Sequence, residues 1–321
     1  RRDITATGTS NNTDGLTGIG RSNPSTRVAL CEEWDWTSTL AAGSWASSNN
    51  MNTARASSHG TATGPATAAM AISGFTPPQT VNVENYDGSS WTEIANVNTA
   101  VSGPGTVGTQ TAALKFLGTA PPFTVDSETY DGTSWTEGTN VTQSRYRAGA
   151  AGTSTSALAF GGTPPNSGLS EEWNGTSWTE GNNMNNARYM MSSGGTQTAA
   201  IGAGGYGTAL DDEVEEYDGT SWTEIADINT ARYGVACSMM ESTTSGIVAG
   251  GYHTANAAEV EEWDGSAWTE VANIPTGVYD GAGTMAQGGS NRESGLFFGG
   301  DSHTQTTIEW LKAQNVKIIT D

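Results

Sequence analysis

The octapeptide YDGSSWTE at Tyr86–Glu93 returns along the chain as YDGTSWTE, at Tyr130–Glu137 and again at Tyr217–Glu224. Close variants stand at Trp173–Glu180 and Trp263–Glu270. With a degenerate first copy and a truncated last one, the leading aromatic residues are Trp34, Tyr86, Tyr130, Trp173, Tyr217, Trp263 and Trp310. Because these residues recur about every 45 positions, the chain consists of seven similar units.

Each unit divides into four short extended segments, as the sixth unit illustrates. Strand a is predicted at Arg232–Met239, strand b at Gly246–Gly251, strand c at Ala258–Trp263 and strand d around Trp268–Ala272. An Asp-Gly pair separates strands c and d, and it indicates a tight hairpin because glycine tolerates positive φ. No segment has the period of an amphipathic helix. The sequence therefore predicts an all-β chain.

Four antiparallel strands in about 45 residues are typical of one blade of a β-propeller. Such a small sheet cannot bury a face alone, so the blades must pack on one another. We expect one domain, a seven-bladed β-propeller over residues 1–321, with blades at approximately 1–50, 51–96, 97–140, 141–183, 184–227, 228–273 and 274–321. Strand d of the last blade is predicted at Val316–Thr320. Closure is predicted to occur by packing of the last blade on the first, without one terminus completing the other's sheet.

A double glycine ends strand b in the later units, at Gly161-Gly162, Gly204-Gly205, Gly250-Gly251 and Gly299-Gly300. With the spaced aromatic pair that follows it, this pattern resembles the kelch-repeat β-propellers along the whole chain. The first three units depart from the pattern with Gly18-Ile19-Gly20, Ser73-Gly74 and a lone Gly118. The YDGTSWTE wording and the Thr/Ala/Gly-rich spacers also resemble kelch-like structural proteins of marine bacteriophages. The resemblance implies a kelch-type fold and a structural role in a virion.

The charge of the chain restricts its partners. It has 13 Lys and Arg residues against 34 Asp and Glu residues, for a net charge of −21. Binding to nucleic acid needs a basic surface, and anionic membranes attract basic segments, so we expect neither partner. There is no apolar run of about 18 residues that would predict a membrane-spanning helix. The cysteines, Cys31 and Cys237, fall in non-adjacent units, and we expect two free thiols.

Arginines and glutamates recur in register with the repeat. Ten residues after the strand d tryptophan stand Arg55, Arg145, Arg188 and Arg232, with Val101 and Val278 in the other two units. Two residues before the strand c aromatic stand Glu84, Glu128, Glu171, Glu215 and Glu261, with Ile308 in the last unit. A buried guanidinium needs a carboxylate partner, so we interpret the two sets as repeated structural ion pairs. The alternative is a ring of acids that lines a channel.

Recognition is expected on the face where the b–c loops emerge, because these loops vary while the c–d turns are repetitive. Paired prolines stiffen some of the loops and lower the entropic cost of binding. The candidate binding residues on this face are Phe75, Pro77, Pro78, Pro121, Pro122, Phe123, Pro164, Pro165, Tyr206, Tyr252, His253 and His303. The alternative is that the loops only close their hairpins.

We identify no catalytic residues in the sequence. His253 and His303 lie in similar loops of adjacent units but lack the spacing of metal ligands, so we expect no metal or other cofactor. The acidic run Asp211–Glu216 could bind Ca²⁺ through its oxygens, although a solvated loop edge is the simpler interpretation. No phosphate-binding loop and no Gly-x-Ser-x-Gly motif is present.

Three functional hypotheses follow from these observations. The first is a non-enzymatic binding or assembly module, an exterior structural protein of a phage-like virion that attaches to a capsid or tail or contacts host-surface glycans. The second is a secreted polysaccharide-active enzyme with its site at the channel mouth. The third is a cytoplasmic adaptor whose kelch ring binds a protein partner. Fold alone does not choose between them.

Overall fold

The structure of the chain is a computed structural model that describes residues 5–8, 14–23, 26–35, 44–57, 59–60, 66–120, 122–236, 239–285, 294–301 and 303–311. The chain divides into two compact units, one of Arg1–Ala41 with Gln314–Asp321 and one of Ala42–Ala313. All regular elements of the described residues are β-strands, which confirms the all-β class. The single domain over 1–321 stays a prediction.

The smaller unit contains a three-stranded antiparallel sheet in the order β1-β2-β3. Its strands are β1 (Thr5–Gly8), β2 (Asp14–Asn23) and β3 (Thr26–Asp35). Strands β2 and β3 pair from Asp14↔Asp35 to Asn23↔Thr26, with two shifts of register. These strands correspond to a, b and c of the first repeat.

The larger unit contains the strands of the remaining repeats. After β4 (Ser44–Ser47), they are β5 (His59–Gly60), β6 (Met70–Ile72), β7 (Val83–Tyr86), β8 (Trp91–Glu93), β9 (Gly105–Thr109), β10 (Ala112–Phe116), β11 (Ser127–Tyr130), β12 (Trp135–Glu137), β13 (Gly149–Thr153), β14 (Ser156–Phe160), β15 (Ser170–Trp173), β16 (Trp178–Glu180), β17 (Ser192–Thr196), β18 (Ala199–Tyr206), β19 (Leu210–Tyr217), β20 (Trp222–Glu224), β21 (Met240–Ser242), β22 (Ser245–Ala249), β23 (Val260–Trp263), β24 (Trp268–Val271), β25 (Ala282–Met285), β26 (Ser294–Phe298) and β27 (Thr307–Leu311).

These strands form small antiparallel sheets in a propeller-like arrangement. Four sheets have four strands each, namely β5–β8, β9–β12, β13–β16 and β25–β27 with β4. The fifth sheet has eight strands, in the order β20-β19-β18-β17-β21-β22-β23-β24. It consists of two four-stranded repeats whose first strands are joined by one parallel pair, Gly194↔Met240. The larger unit thus holds six repeats of four strands, and the predicted count of seven blades is not confirmed.

A closed circuit of backbone hydrogen bonds joins the six repeats. In each repeat, a residue in the segment before the first strand donates its N–H to the carbonyl oxygen of its counterpart in the preceding repeat, at N···O distances of 2.7–3.1 Å. We call this circuit the axial ring, and its members are Ser57, Gly103, Arg147, Met190, Gly234 and Asp280. All six have a left-handed backbone, with φ between 48° and 64°. Because Ser57 donates to Asp280, the circuit closes on itself after six members.

The last sheet is completed by a strand from near the start of the larger unit. Strand β4 pairs antiparallel with β27, and Trp45 lies opposite Trp310. The two indole rings are 5.3 Å apart between centroids, and Trp45 Nε1 donates to the Ala272 carbonyl oxygen at 3.0 Å. The prediction that closure needs no such strand exchange was wrong, because the degenerate first repeat gives its strand d to the last sheet. The predicted strand at Val316–Thr320 lies outside the described residues.

Aromatic packing fills the space between neighbouring repeats. In each repeat the strand c aromatic packs on the strand d tryptophan, as Tyr130 does on Trp135 with 5.1 Å between centroids. In three repeats the strand d tryptophan also contacts a phenylalanine from strand b of the neighbouring repeat, as Trp222 does with Phe160 at 4.8 Å. Since each repeat covers its neighbour, no repeat is buried without the next one.

The c–d turns are held by the side chain of their first polar residue. In each turn this side chain accepts hydrogen bonds from the backbone N–H groups two and three residues later, at 2.7–2.9 Å. The residues are Asp87, Asp131, Asn174, Asp218 and Asp264. The glycine that follows each of them has φ of 89–93°, which explains why the pair is Asp-Gly or Asn-Gly.

The strand exchange predicts an energetic coupling between Trp45 and Trp310. Each Trp→Ala variant is expected to lower the free energy of unfolding by about 3–5 kcal/mol. The double variant is expected to reveal a coupling of about 0.5–1.5 kcal/mol, because the two rings contact each other. Chemical denaturation of the four proteins measures this coupling. Trp45 with Trp135 is the control pair and is expected to be additive; a coupling near zero for Trp45 with Trp310 would contradict the exchanged strand.

The turns predict a specific acid sensitivity. The N–H groups of Ser90 and Ser89, with the Ser89 hydroxyl, lower the pKa of Asp87 to about 2. The same kind of hydrogen bond lowers the pKa of Asp131, where the Ser134 N–H is the main donor, and of Asp218, where the Ser221 N–H is the main donor. A carboxyl whose pKa is lower in the folded state contributes stability above about pH 4 and loses it as the pH falls toward 2.

We therefore expect the triple variant Asp87→Asn, Asp131→Asn, Asp218→Asn to lose less stability between about pH 4 and pH 2 than the wild type. The design follows the natural Asn174, whose amide oxygen makes the same bonds without ionising. Denaturation at a series of pH values gives, for each protein, the slope of the free energy of unfolding against pH. The reverse change, Asn174→Asp, should steepen the loss, and equal slopes in all three proteins would refute the assignment.

Candidate functional site

The predicted arginine and glutamate sets meet inside the repeats. Arg55 pairs with Glu84, and Arg145 Nη1 lies 2.7 Å from Glu171 Oε1. In the same way Arg232 binds Glu261 at 2.7 Å and Arg188 binds Glu215 at 3.2 Å. The glutamates of these pairs, together with Glu128, are no more than 2% exposed. They therefore do not form the acidic lining of an open channel.

Each of these glutamates also binds the backbone. Asn52 and Thr53 donate their N–H groups to the Glu84 carboxylate at 2.7 and 3.1 Å. The same pattern holds at Glu128, where the donors are the N–H groups of Asn98 and Thr99. The carboxylate thus fixes the segment that leads into strand a, so its role is structural.

Two repeats have valine instead of the arginine of the ion pair. Where the third repeat has Val101, Lys115 in strand b supplies the cation and contacts Glu128. Burial lowers the pKa of Lys115, and the Glu128 carboxylate opposes this shift by favouring the charged form. In the last repeat, Val278 and Ile308 replace the arginine and the glutamate together. The sequence pattern missed Lys115, although a single lysine in strand b of the one repeat that lacks the arginine but keeps the glutamate was a usable signal.

Two acids of the run Asp211–Glu216, besides Glu215, also lie near Arg188. Arg188 Nη1 lies 3.2 Å from Glu213 and 4.0 Å from Asp211, and the Asn186 amide donates to both acids at 2.8–2.9 Å. Desolvation raises the pKa of Asp211. Among the described residues, no group of three or more His, Cys, Asp or Glu side chains is arranged to hold a metal ion. The Ca²⁺ alternative stays a prediction.

An ion pair spans the axial ring. Arg147 Nη2 lies 3.0 Å from Asp280 Oδ2, and these two residues belong to repeats on opposite sides of the six-membered circuit. The hydroxyl of Ser57 donates to the same carboxylate. Arg147 is 25% exposed and Asp280 is 14% exposed. The centre of this face is therefore occupied by a partly exposed, charge-balanced pair.

Tyrosines surround half of the axial ring. We call the tyrosine cluster the set Tyr189, Tyr206, Tyr233, Tyr252 and Tyr279, all of which are half-buried. Its neighbouring ring centroids are 5.4–6.3 Å apart. Three of its members directly precede an axial-ring residue, and the other two pair with them through the bridges Tyr189↔Tyr206 and Tyr233↔Tyr252. Burial raises the pKa of Tyr189 and Tyr233, so their hydroxyls stay neutral at neutral pH.

The opposite half of the ring has small residues. Ala56 and Ser102 stand where the other four repeats have tyrosine. Tyr146, the fourth tyrosine of this position, stacks with Phe123 at 5.3 Å and lies under the Arg147 guanidinium. The tyrosine cluster therefore lies on one side of the ring, and the opposite half has the separate pair of Phe123 and Tyr146.

The predicted binding residues fall into three groups. Tyr206 and Tyr252 belong to the tyrosine cluster, and Phe123 is 39% exposed beside Tyr146. Phe75 packs on His303 at 5.3 Å, whereas His253 Nε2 lies 3.5 Å from Glu259. The prolines of the predicted binding set that the structure describes are exposed, namely Pro77, Pro78, Pro122, Pro164 and Pro165. Pro121 and Cys237 lie outside the described residues.

Sequence reasoning missed Tyr146, Tyr189, Tyr233 and Tyr279. Each of them follows directly on the arginine or valine of the ion-pair position. When the repeats are aligned on this arginine or valine, the four tyrosines therefore occupy the same position.

The comparisons with known proteins add no family to this description. No protein-family model matches the chain, and no curated protein resembles it significantly. Among the described residues there is no helix with the length and apolar character needed to span a bilayer.

The Lys115–Glu128 pair of the third repeat predicts that a lysine in strand b can replace the arginine of an ion pair in another repeat. Arg145→Val leaves Glu171 buried without its cation and is expected to lower the free energy of unfolding by about 3–5 kcal/mol. Adding Ala159→Lys recreates the Val101 and Lys115 arrangement, because Ala159 lies opposite Glu171 as Lys115 lies opposite Glu128. We expect the second change to restore most of the loss.

Thermal and chemical denaturation of the wild type, the single variants and the double variant measure this rescue. Ala159→Lys alone is the control, and it is expected to destabilise the chain because it adds a second buried cation. Arg145→Val with unchanged stability, or a double variant weaker than both single variants, would contradict the structural role of the pair.

Proposed function

We propose that this chain is a non-enzymatic binding and assembly module of the kelch type, which serves as an exterior structural protein of a phage-like virion. The observation that carries the proposal is the tyrosine cluster, a one-sided aromatic surface mounted on a closed ring. Tyrosine supplies a large contact area at low entropic cost, and it is enriched at protein interfaces. A rigid framework with one distinctive face is suited to recognition.

The use of the charged residues supports a non-enzymatic role. The buried glutamates bind an arginine or lysine and backbone N–H groups, which leaves them as structural acceptors. The central pair, Arg147 with Asp280, is mutually neutralised. A general acid would need a carboxyl aimed at a substrate and free to exchange its proton. The arrangement therefore favours binding over hydrolysis of polysaccharide.

The virion role rests on the resemblance of the repeat and on the charge. A net charge of −21 suits a component that stays soluble and resists nonspecific contact on a particle surface. Strand β4 gives the last sheet an outer edge strand of only four residues, and short edge strands limit unwanted association.

Antibodies raised against the recombinant chain test the proposal on particles that are purified by density gradient from a culture that expresses the gene. We expect the chain to co-sediment with the particles and immunogold label to lie on their outer surface. Recovery of the chain only from soluble fractions would contradict the virion role. Release of reducing ends from polysaccharides by the purified chain would contradict the non-enzymatic role.

A further inference from the structure

We propose that the tyrosine cluster docks a positively charged peptide segment of a protein partner, whose arginine or lysine side chains lie against the tyrosine rings. The inference deepens the proposed function and rests on it, because an assembly module needs a partner. It names the chemistry of that partner from the geometry and charge of this face.

The orientation of the rings favours a cation. Neighbouring ring planes in the tyrosine cluster meet at 54–74°. A cation is attracted to the face of an aromatic ring, so inclined rings can contact one guanidinium or ammonium group from two sides. A sugar ring needs one flat, open face instead. The near-parallel pair of Phe123 with Tyr146, at 21°, lies in the other half of the ring, and there each ring covers one face of the other.

Carboxylates border the tyrosine cluster. The Asp301 N–H donates to the Tyr279 carbonyl oxygen at 2.8 Å, which places this acid beside the cluster. Glu259, which is 35% exposed, lies next to His253, the residue that follows Tyr252. The hairpin that carries Tyr206 continues to the exposed Asp212, whose neighbours Asp211 and Glu213 bind Arg188. The border of the cluster is therefore acidic.

The nearby cations are already paired. Arg188 and Arg232 are fully buried and bind glutamates within their own repeats. Arg147 binds Asp280 across the axial ring. Within the described part of this face, the carboxylates consequently outnumber the arginines. Complementary charge attracts a basic partner and raises its association rate.

Charge also argues against the other occupants. A second copy of the chain would bring another net charge of −21 to the surface, and like charges facing each other are unfavourable. An acidic peptide or an anionic polysaccharide meets the same repulsion. A basic peptide is the occupant that matches both the inclined rings and the acidic border.

The cluster is preorganised for this contact. Tyr189, Tyr233 and Tyr279 each precede a residue of the axial ring, whose backbone is fixed by hydrogen bonds on both sides. Their rings also support one another at centroid distances near those of stable aromatic pairs. Little side-chain freedom remains to be lost on binding, which favours affinity.

Fluorescence anisotropy with labelled hexa-arginine and hexa-lysine peptides and the full chain tests the proposal. The double variant Tyr206→Ala, Tyr252→Ala is expected to weaken binding by about tenfold or more, because two aromatic contacts to cations are lost. The matched control removes three exposed charges far from the cluster, by Glu93→Gln, Glu137→Gln and Glu180→Gln, and is expected to change affinity by less than about threefold. Melting curves show whether each variant is folded.

A photo-crosslinkable hexa-arginine on the unmodified chain provides a measurement that does not depend on variant folding. We expect crosslinks at the tyrosine cluster and its acidic border. Equal loss of binding in the tyrosine and glutamate variants, or crosslinks spread over the outer strands, would overturn the site. Tyrosine-dependent binding of a neutral oligosaccharide, with none of hexa-arginine, would overturn the peptide and assign the surface to glycans.

The two proposals fail separately. A chain that labels the particle surface but does not bind the basic peptides refutes the ligand and leaves the virion role standing. A chain that binds the peptides through its tyrosines but never sediments with particles refutes the virion role and leaves the site standing.

Discussion

Every repeat of the larger unit depends on its neighbour, because a four-stranded sheet with an aromatic face cannot be buried alone. The aromatic residues of strands c and d pack together and, in three repeats, the tryptophan also packs against a phenylalanine of the neighbouring sheet. At the axis the same dependence is expressed by the backbone, since each axial-ring residue donates to one repeat and accepts from another. The contacts between repeats are therefore as necessary to the structure as the strand pairing within them.

The left-handed backbone of the axial ring connects this framework to the candidate site. Four of its six members carry side chains, and a non-glycine residue in that conformation costs about 1–3 kcal/mol. The strain is offset by the hydrogen bonds of the circuit. In return Arg147 and Asp280 face each other across the axis, and the preceding tyrosines are held in a fixed arc. The charged centre and the aromatic arc are thus products of the same backbone geometry.

Much of the fold could be predicted from the repeat, because the spacing of Trp222 from Tyr217 and the Asp218-Gly219 turn define a hairpin locally. The ion pairs were also predictable, since strand periodicity places Glu261 on the face of Trp263 and a buried arginine must find an acid. The number of repeats around the axis was not, because it depends on where Trp45 packs. Its pairing with Trp310 is a contact between distant parts of the chain that local spacing does not encode. Tyr206 and Tyr252 of the tyrosine cluster were predicted as binding residues, but Tyr189, Tyr233 and Tyr279 were missed for a related reason, since exposure depends on which repeats meet at the axis.

The exchanged strand also affects the order in which the strands of the larger unit can pair during synthesis. Strand β4 is synthesised early, but its partner β27 is among the last segments of the larger unit to leave the ribosome. Chains emerge from the amino-terminal end first, and pairing of distant segments is slow because a long loop must close. A growing chain must therefore carry Trp45 without its native neighbour until the other strands of the larger unit have been synthesised. Incomplete products would expose that indole, which gives cellular quality control a hydrophobic mark of unfinished chains.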